Sequence, residues 1–183
     1  ATGDINLNAT LHSADVNAGT LKLLSGHDVN ITGTKDIGEI GTEFNHHLNL
    51  TAGGNVNITN GNVYLADNNN LTVVATGSVN IGGDTLQVGT GAGNTTGFMS
   101  IQGQNITMGS SGGPEVIAVT GSGNQTFTAT GTGGSGFIDI INSANSTVSI
   151  TTGSGTQTFD TTLTTGGNGN LLIKSSNTGI GTG

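Results

Sequence analysis

Between Leu48 and Val88 apolar and polar positions alternate in short bursts. Six triplets follow one another, Leu48-Asn49-Leu50, Val56-Asn57-Ile58, Val63-Tyr64-Leu65, Leu71-Thr72-Val73, Val79-Asn80-Ile81 and Leu86-Gln87-Val88, their first residues 8, 7, 8, 8 and 7 positions apart. Side chains of an extended segment alternate between its two faces, so each triplet predicts a short strand with two apolar side chains on one face. Glycine, asparagine and aspartate punctuate the gaps, as in Gly53-Gly54-Asn55 and Asn60-Gly61-Asn62. These residues tolerate the positive φ of a sharp bend, which predicts corners.

The spacings add to a second period, since Leu48 to Leu71, Val56 to Val79 and Val63 to Leu86 are each 23 residues. Three strands and three corners per period describe one coil of a three-sided parallel β-solenoid. The predicted fold class is all-β, a right-handed parallel β-solenoid (β-helix) with coils of about 23 residues. Leu48 over Leu71, Val56 over Val79 and Val63 over Leu86 are its predicted columns. Leu50, Ile58, Val73 and Ile81 should also point inward, and Asn49, Asn57, Thr72 and Asn80 outward. An antiparallel meander gives no reason for every third strand to correspond.

Residues 1–108 read as one stretch of this design. Ile5-Asn6-Leu7, Leu21-Lys22-Leu23 and Val29-Asn30-Ile31 begin it less regularly. Val29 precedes Val56 by 27 residues, which places a four-residue excess in an excursion at 34–47. Gly109 to Pro114, carrying the chain's single proline, marks a boundary. From 115 to 183 segments centred on Ile117, Phe127, Ile138, Val148, Phe159 and Leu172 lie 10 to 13 apart, and three spacings of 21 recur. A flatter solenoid with two longer strands per coil is expected there. Gly153-Ser154-Gly155-Thr156-Gln157-Thr158-Phe159 repeats Gly121-Ser122-Gly123-Asn124-Gln125-Thr126-Phe127 after 32 residues, which matches neither period. Both termini read as interrupted repeats, as expected of a piece of a longer array or of copies that stack end to end.

Composition narrows the functions. Aromatic residues are 3%, charged residues 8%, and 34 of 183 residues are glycine, too few large side chains for an ordinary globular core but enough for a narrow solenoid column. There is no cysteine, which removes disulfides and thiolate metal sites. A net charge of −8 with only Lys22, Lys35 and Lys174 as side-chain cations disfavours nucleic acid as a partner. No run approaches the roughly 18 apolar residues of a membrane span.

Catalysis needs a nucleophile with a base, or paired carboxylates with a basic partner, and no such constellation is visible. No catalytic residue, cofactor or metal site is therefore assigned. Lys35, Asp36, Glu39, Glu43, His46 and His47 form the one dense ionisable cluster. Its carboxylates and imidazoles are ordinary metal ligands, but adjacent histidines on a strand point apart, so a solvated excursion is the preferred reading. Gly121-Ser122-Gly123 lacks the lysine and helix of a phosphate loop. Glycosylation sequons begin at Asn8, Asn30, Asn49, Asn57, Asn70, Asn94, Asn105, Asn124 and Asn145.

The V-N-I-T and L-N-L-T-A-G-G-N-V-N-I units, with the later G-S-G-x-Q-T-F units, resemble the repeat regions of filamentous-haemagglutinin-type adhesins, β-helical proteins exported by two-partner secretion. The resemblance implies a filament or adhesin segment that is extracellular or at the cell surface. Its expected partners are copies of itself joined head to tail, neighbouring repeats of a longer chain, and cell-surface or glycan contacts. The alternative is a solenoid that binds ice or a glycan through a polar Thr/Asn face. Thr126-Phe127-Thr128, Thr130-Gly131-Thr132 and Thr162-Leu163-Thr164 are its candidate motifs.

Overall fold

A computed structural model describes residues 1–13, 19–82, 85–90, 96–109, 115–120, 122–131, 137–142, 147–152, 157–160, 162–167, 170–175 and 180–182. Their strands in chain order begin with β1 (Ile5–Leu7), β2 (Gly19–Ser25), β3 (Val29–Thr32), β4 (His46–Ala52), β5 (Val56–Thr59) and β6 (Val63–Leu65). β7 (Leu71–Ala75), β8 (Val79–Gly82), β9 (Thr85–Val88), β10 (Met99–Gly103) and β11 (Ile106–Met108) follow. The series ends with β12 (Glu115–Val119), β13 (Gln125–Ala129), β14 (Phe137–Asn142), β15 (Thr147–Thr152), β16 (Gln157–Asp160), β17 (Thr162–Gly167), β18 (Asn170–Ser175) and β19 (Ile180–Thr182).

The chain visits three parallel sheets in rotation. Sheet A runs β1-β3-β5-β8-β11-β14-β17, sheet B runs β6-β9-β12-β15-β18, and sheet C runs β2-β4-β7-β10-β13-β16-β19. This is a parallel β-solenoid, and its register is the one the triplets predict. Leu48 pairs with Leu71, Val56 with Val79 and Val63 with Leu86. All of the predicted inward residues are buried, whereas Asn49, Asn57, Thr72 and Asn80 remain partly exposed. The core is thus a set of stacked columns, such as Val29-Val56-Val79-Ile106-Ile138 in sheet A. Among the described residues two polar side chains also lie fully inside: Gln125 stacks beyond Met99, and Asn69 donates to Asn45 Oδ1 at 3.2 Å.

After residue 114 the rotation through three sheets continues, so the two-strand coil expected there is not what forms. β12 pairs with β9 and β15 rather than β14, and Phe127 pairs with Phe159. The spacing of 21 is the sum of two successive strand-to-strand steps, while a coil takes three. Lengthened coils also account for the 32-residue repeat: Gln125, Thr126 and Phe127 pair in register with Gln157, Thr158 and Phe159 on the adjacent strand. Residues 110–114, most of the Gly89–Gly97 loop and residues 83–84 of the Gly82-Gly83-Asp84 corner lie outside the described residues.

Corner glycines have two causes, the expected positive φ at some and close approach of coils at others. Positive φ occurs at Gly33, Thr34, Asn60 and Gly109 after strands of sheet A, but not at Gly53 or Gly77. A Cβ on Gly53 would stand 2.3 Å from the carbonyl oxygen of Gly26, and one on Gly77 would stand 2.5 Å from Asn55 Oδ1. Stacked coils approach so closely at this corner that no side chain fits between them.

Candidate functional site

The excursion at 34–47 is only partly an excursion. Ile37 is fully buried and bridges Leu11 and Val63 within the column of sheet B, and Phe44 is buried and bridges Leu65. Seven positions separate Ile37 from Phe44 where the next coil needs two between Val63 and Leu65, so the surplus leaves the coil as a hairpin. Glu39 and Thr42 exchange backbone bonds of 3.2 and 3.0 Å, Gly41 supplies the positive φ of +84°, and Ile40 stands 80% exposed at the tip.

The ionisable residues of the excursion are dispersed. Asp36 Oδ1 accepts the backbone N–H of Asn62 at 2.7 Å, Glu43 Oε1 accepts that of Gly41 at 2.9 Å, and Glu39 lies 3.9 Å from His12 Nε2. His46 and His47 each accept a backbone N–H, from Gly19 at 2.8 Å and from Asn70 at 3.0 Å. Among the described residues no three metal-ligating side chains converge. An open cleft of about 560 Å³ is lined by His12 and Ser13, by residues of β2 including Gly19, and by Phe44 and His46 after the hairpin.

Two kinds of side-chain ladder run along the rod. On the outer face of sheet A, Asn30 Nδ2 donates to Asn6 Oδ1 at 2.8 Å, Asn57 to Asn30 at 2.8 Å, and Asn80 to Asn57 at 2.7 Å. The second kind occupies the corners, on the residue just before each strand's first inward position. Between sheets C and A, Asp4 Oδ1 accepts the N–H of Asp28 at 3.2 Å, Asp28 that of Asn55 at 2.6 Å, and Asn55 that of Ser78 at 2.8 Å. Between A and B the series is Thr10, Asp36, Asn62 and Thr85; between B and C it is His47, Asn70 and Phe98. In every case the acceptor belongs to the earlier coil and the donor to the later one.

These acceptors satisfy backbone donors that a bend leaves without a strand partner. Residue type alone marks them as turn formers. Their signal was nonetheless present, because Asp28, Asn55 and Ser78 recur one coil apart directly ahead of Val29, Val56 and Val79.

The candidate Thr-x-Thr motifs do not share a face. Thr126 and Thr128 lie on β13 in sheet C, Thr162 and Thr164 on β17 in sheet A, and Thr130-Gly131 follows β13, with Thr132 outside the described residues. Of the sequons, Asn30 and Asn57 are committed to the outer ladder, Asn8 is exposed beyond β1, and Asn94 and Asn145 lie outside the described residues. Gly121 lies outside them as well. No helix among the described residues is long and apolar enough to cross a membrane. No family model matches the chain, no curated protein matches it, and no solved structure matches it.

Proposed function

We propose that the chain is a structural segment of an extracellular or cell-surface filament or adhesin, without catalysis, joined coil to coil along its axis. The adjoining coils belong either to further copies or to neighbouring repeats of one longer chain. The observation that carries this reading is the sameness of the coil-to-coil contact: three parallel sheets and three corner ladders repeat the same bonds along the rod. A contact that serves between coils also serves between segments, because a parallel edge strand completes its backbone bonds on the next coil. Such a joint is heterologous and need not close, so open filaments result. The sparse surface charge opposes it little, and the resemblance to adhesin repeats agrees with it.

Binding of ice or a glycan by a polar face has less support, since the Thr-x-Thr motifs fall on different sheets. Electron microscopy of the purified chain over a concentration series tests the joint. Threads that lengthen with concentration are expected of copies that assemble. Uniform rods at every concentration would refute self-assembly and leave the segment of a longer chain.

A further inference from the structure

The corner between sheets B and C differs from the other two in the chemistry of its acceptors. His46 and His47 open β4, and strand alternation sends them to opposite sides. His46 shares the inward register of Leu48, and its ring meets Phe44 edge-on with centroids 5.1 Å apart and planes at 70°. His47 shares the outward register of Asn49. Both rings nevertheless make the same kind of bond, with Nδ1 of His46 accepting the N–H of Gly19 at 2.8 Å and Nδ1 of His47 that of Asn70 at 3.0 Å.

An imidazole that accepts at Nδ1 is neutral and carries its proton on Nε2. His46 Nε2 then donates to Ser13 Oγ, 2.8 Å away. One coil later the place of His47 is taken by Asn70, whose Oδ1 accepts the N–H of Phe98 at 3.1 Å. The amide keeps its lone pair at every pH, whereas the imidazole surrenders its own on protonation.

We propose that the His46–His47 corner is an acid-sensitive fastening that holds the first coils together when both rings are neutral and opens when they are protonated. Protonation sets an N–H against the N–H of Gly19 and of Asn70, turning two bonds into two donor–donor contacts. Among the described residues, His12 is the other imidazole that lines the cleft of His46. Glu39 lies beside His12, 3.9 Å away, and Glu43 is turned to Gly41. Lys22 lies on the outward register of β2, two residues past Thr20, the partner of His47. In the turn from β6 to β7, Asp67 is committed to Thr90 at 3.0 Å. The ion pairs of the described histidines are His12–Glu39 and His27–Asp4, so among the described residues neither ring of the corner has a carboxylate partner, and Asp15, two positions past Ser13, lies outside them.

The test is amide exchange by NMR on the full chain at pH 7.5 and pH 5, corrected for intrinsic rates. Protection of Gly19 and Asn70 should fall on the order of tenfold with the loss of one hydrogen bond each. Ser78 and Thr85, which bond the amides Asn55 and Asn62, should hold. In His47→Asn, Asn70 should stay protected at pH 5 while Gly19 is still lost. Unchanged protection of Gly19 and Asn70 in the natural chain would overturn the proposal, as would equal loss at all four amides. A His47→Asn chain that loses Asn70 protection as the natural one does would also overturn it.

Discussion

Phe127 and Phe159, 32 residues apart in the chain, stack in one core column with ring centroids 5.2 Å apart and planes 13° from parallel. Both are buried, Phe127 completely, in a column that Leu23, Leu50, Val73 and Ile101 fill in earlier coils. Truncating Phe127 to alanine opens a void between coils that rigid backbone ladders cannot collapse. A loss of about 3–5 kcal/mol is expected in urea unfolding, with a clearly smaller loss for Phe127→Leu. Equal losses for the two would contradict the packing described.

Adjacent positions on β5 should respond in opposite ways to one added carboxylate. Ile58→Asp places an unpaired charge in a dry column and should abolish the β signal in circular dichroism. Asn57→Asp keeps the oxygen that accepts from Asn80 but loses the donor to Asn30, a cost of about 1 kcal/mol. The fold should survive it.

The corner glycines separate two reasons for lacking a side chain. Gly33 has φ of +63° with open space around its missing Cβ, so Gly33→Ala should cost about 1–2 kcal/mol through backbone strain alone. Gly53 has no such φ, yet a Cβ there meets the Gly26 backbone at 2.3 Å. Gly53→Ala must push two coils apart and should cost at least as much, about 1–3 kcal/mol. Thermal melts of the two variants decide it, and a neutral Gly53→Ala would refute the close approach.

Thr34 holds φ of +61°, an unfavourable value for a β-branched residue, and it is exposed. Asn60, at φ of +59°, lies opposite Gly33 on the next coil and holds the same backbone region as an asparagine, which tolerates it, while its carbonyl accepts the N–H of Thr34. Thr34→Asn should therefore stabilise the chain by about 0.5–1 kcal/mol and raise its melting midpoint by roughly 1–4 °C. An unchanged or lower midpoint would show that the strain is offset by contacts of the threonine.

The first 108 residues were legible because a coil there repeats with little change in length, so periods of 2 and 23 coexist and Val56 announces Val79. Beyond Pro114 the strands and the gaps between them lengthen unevenly. A two-step spacing of 21 then outweighs the true pairing, even though Gln125-Thr126-Phe127 had already named its partner. The hairpin at Gly38–Glu43 was hidden for a related reason. Ile37 and Phe44 are one strand's worth of core split by an insertion, which apolar spacing reads as a single irregular loop. The corner acceptors looked like turn formers because aspartate and asparagine favour bends, and only stacking reveals that each serves the coil after it.

That one-way service gives the rod a grain. Asp28 offers its oxygen to Asn55, and Asn55 to Ser78, never the reverse. A finished coil thus presents a set of waiting acceptors to whatever chain comes next, while among the corner acceptors described above His46 alone reaches backward, to Gly19. Winding that starts near Ala1 finds a prepared template at every step, while winding that starts at the other end must hold its bends open until the earlier coils arrive. The corners favour growth in the direction in which a ribosome delivers the chain.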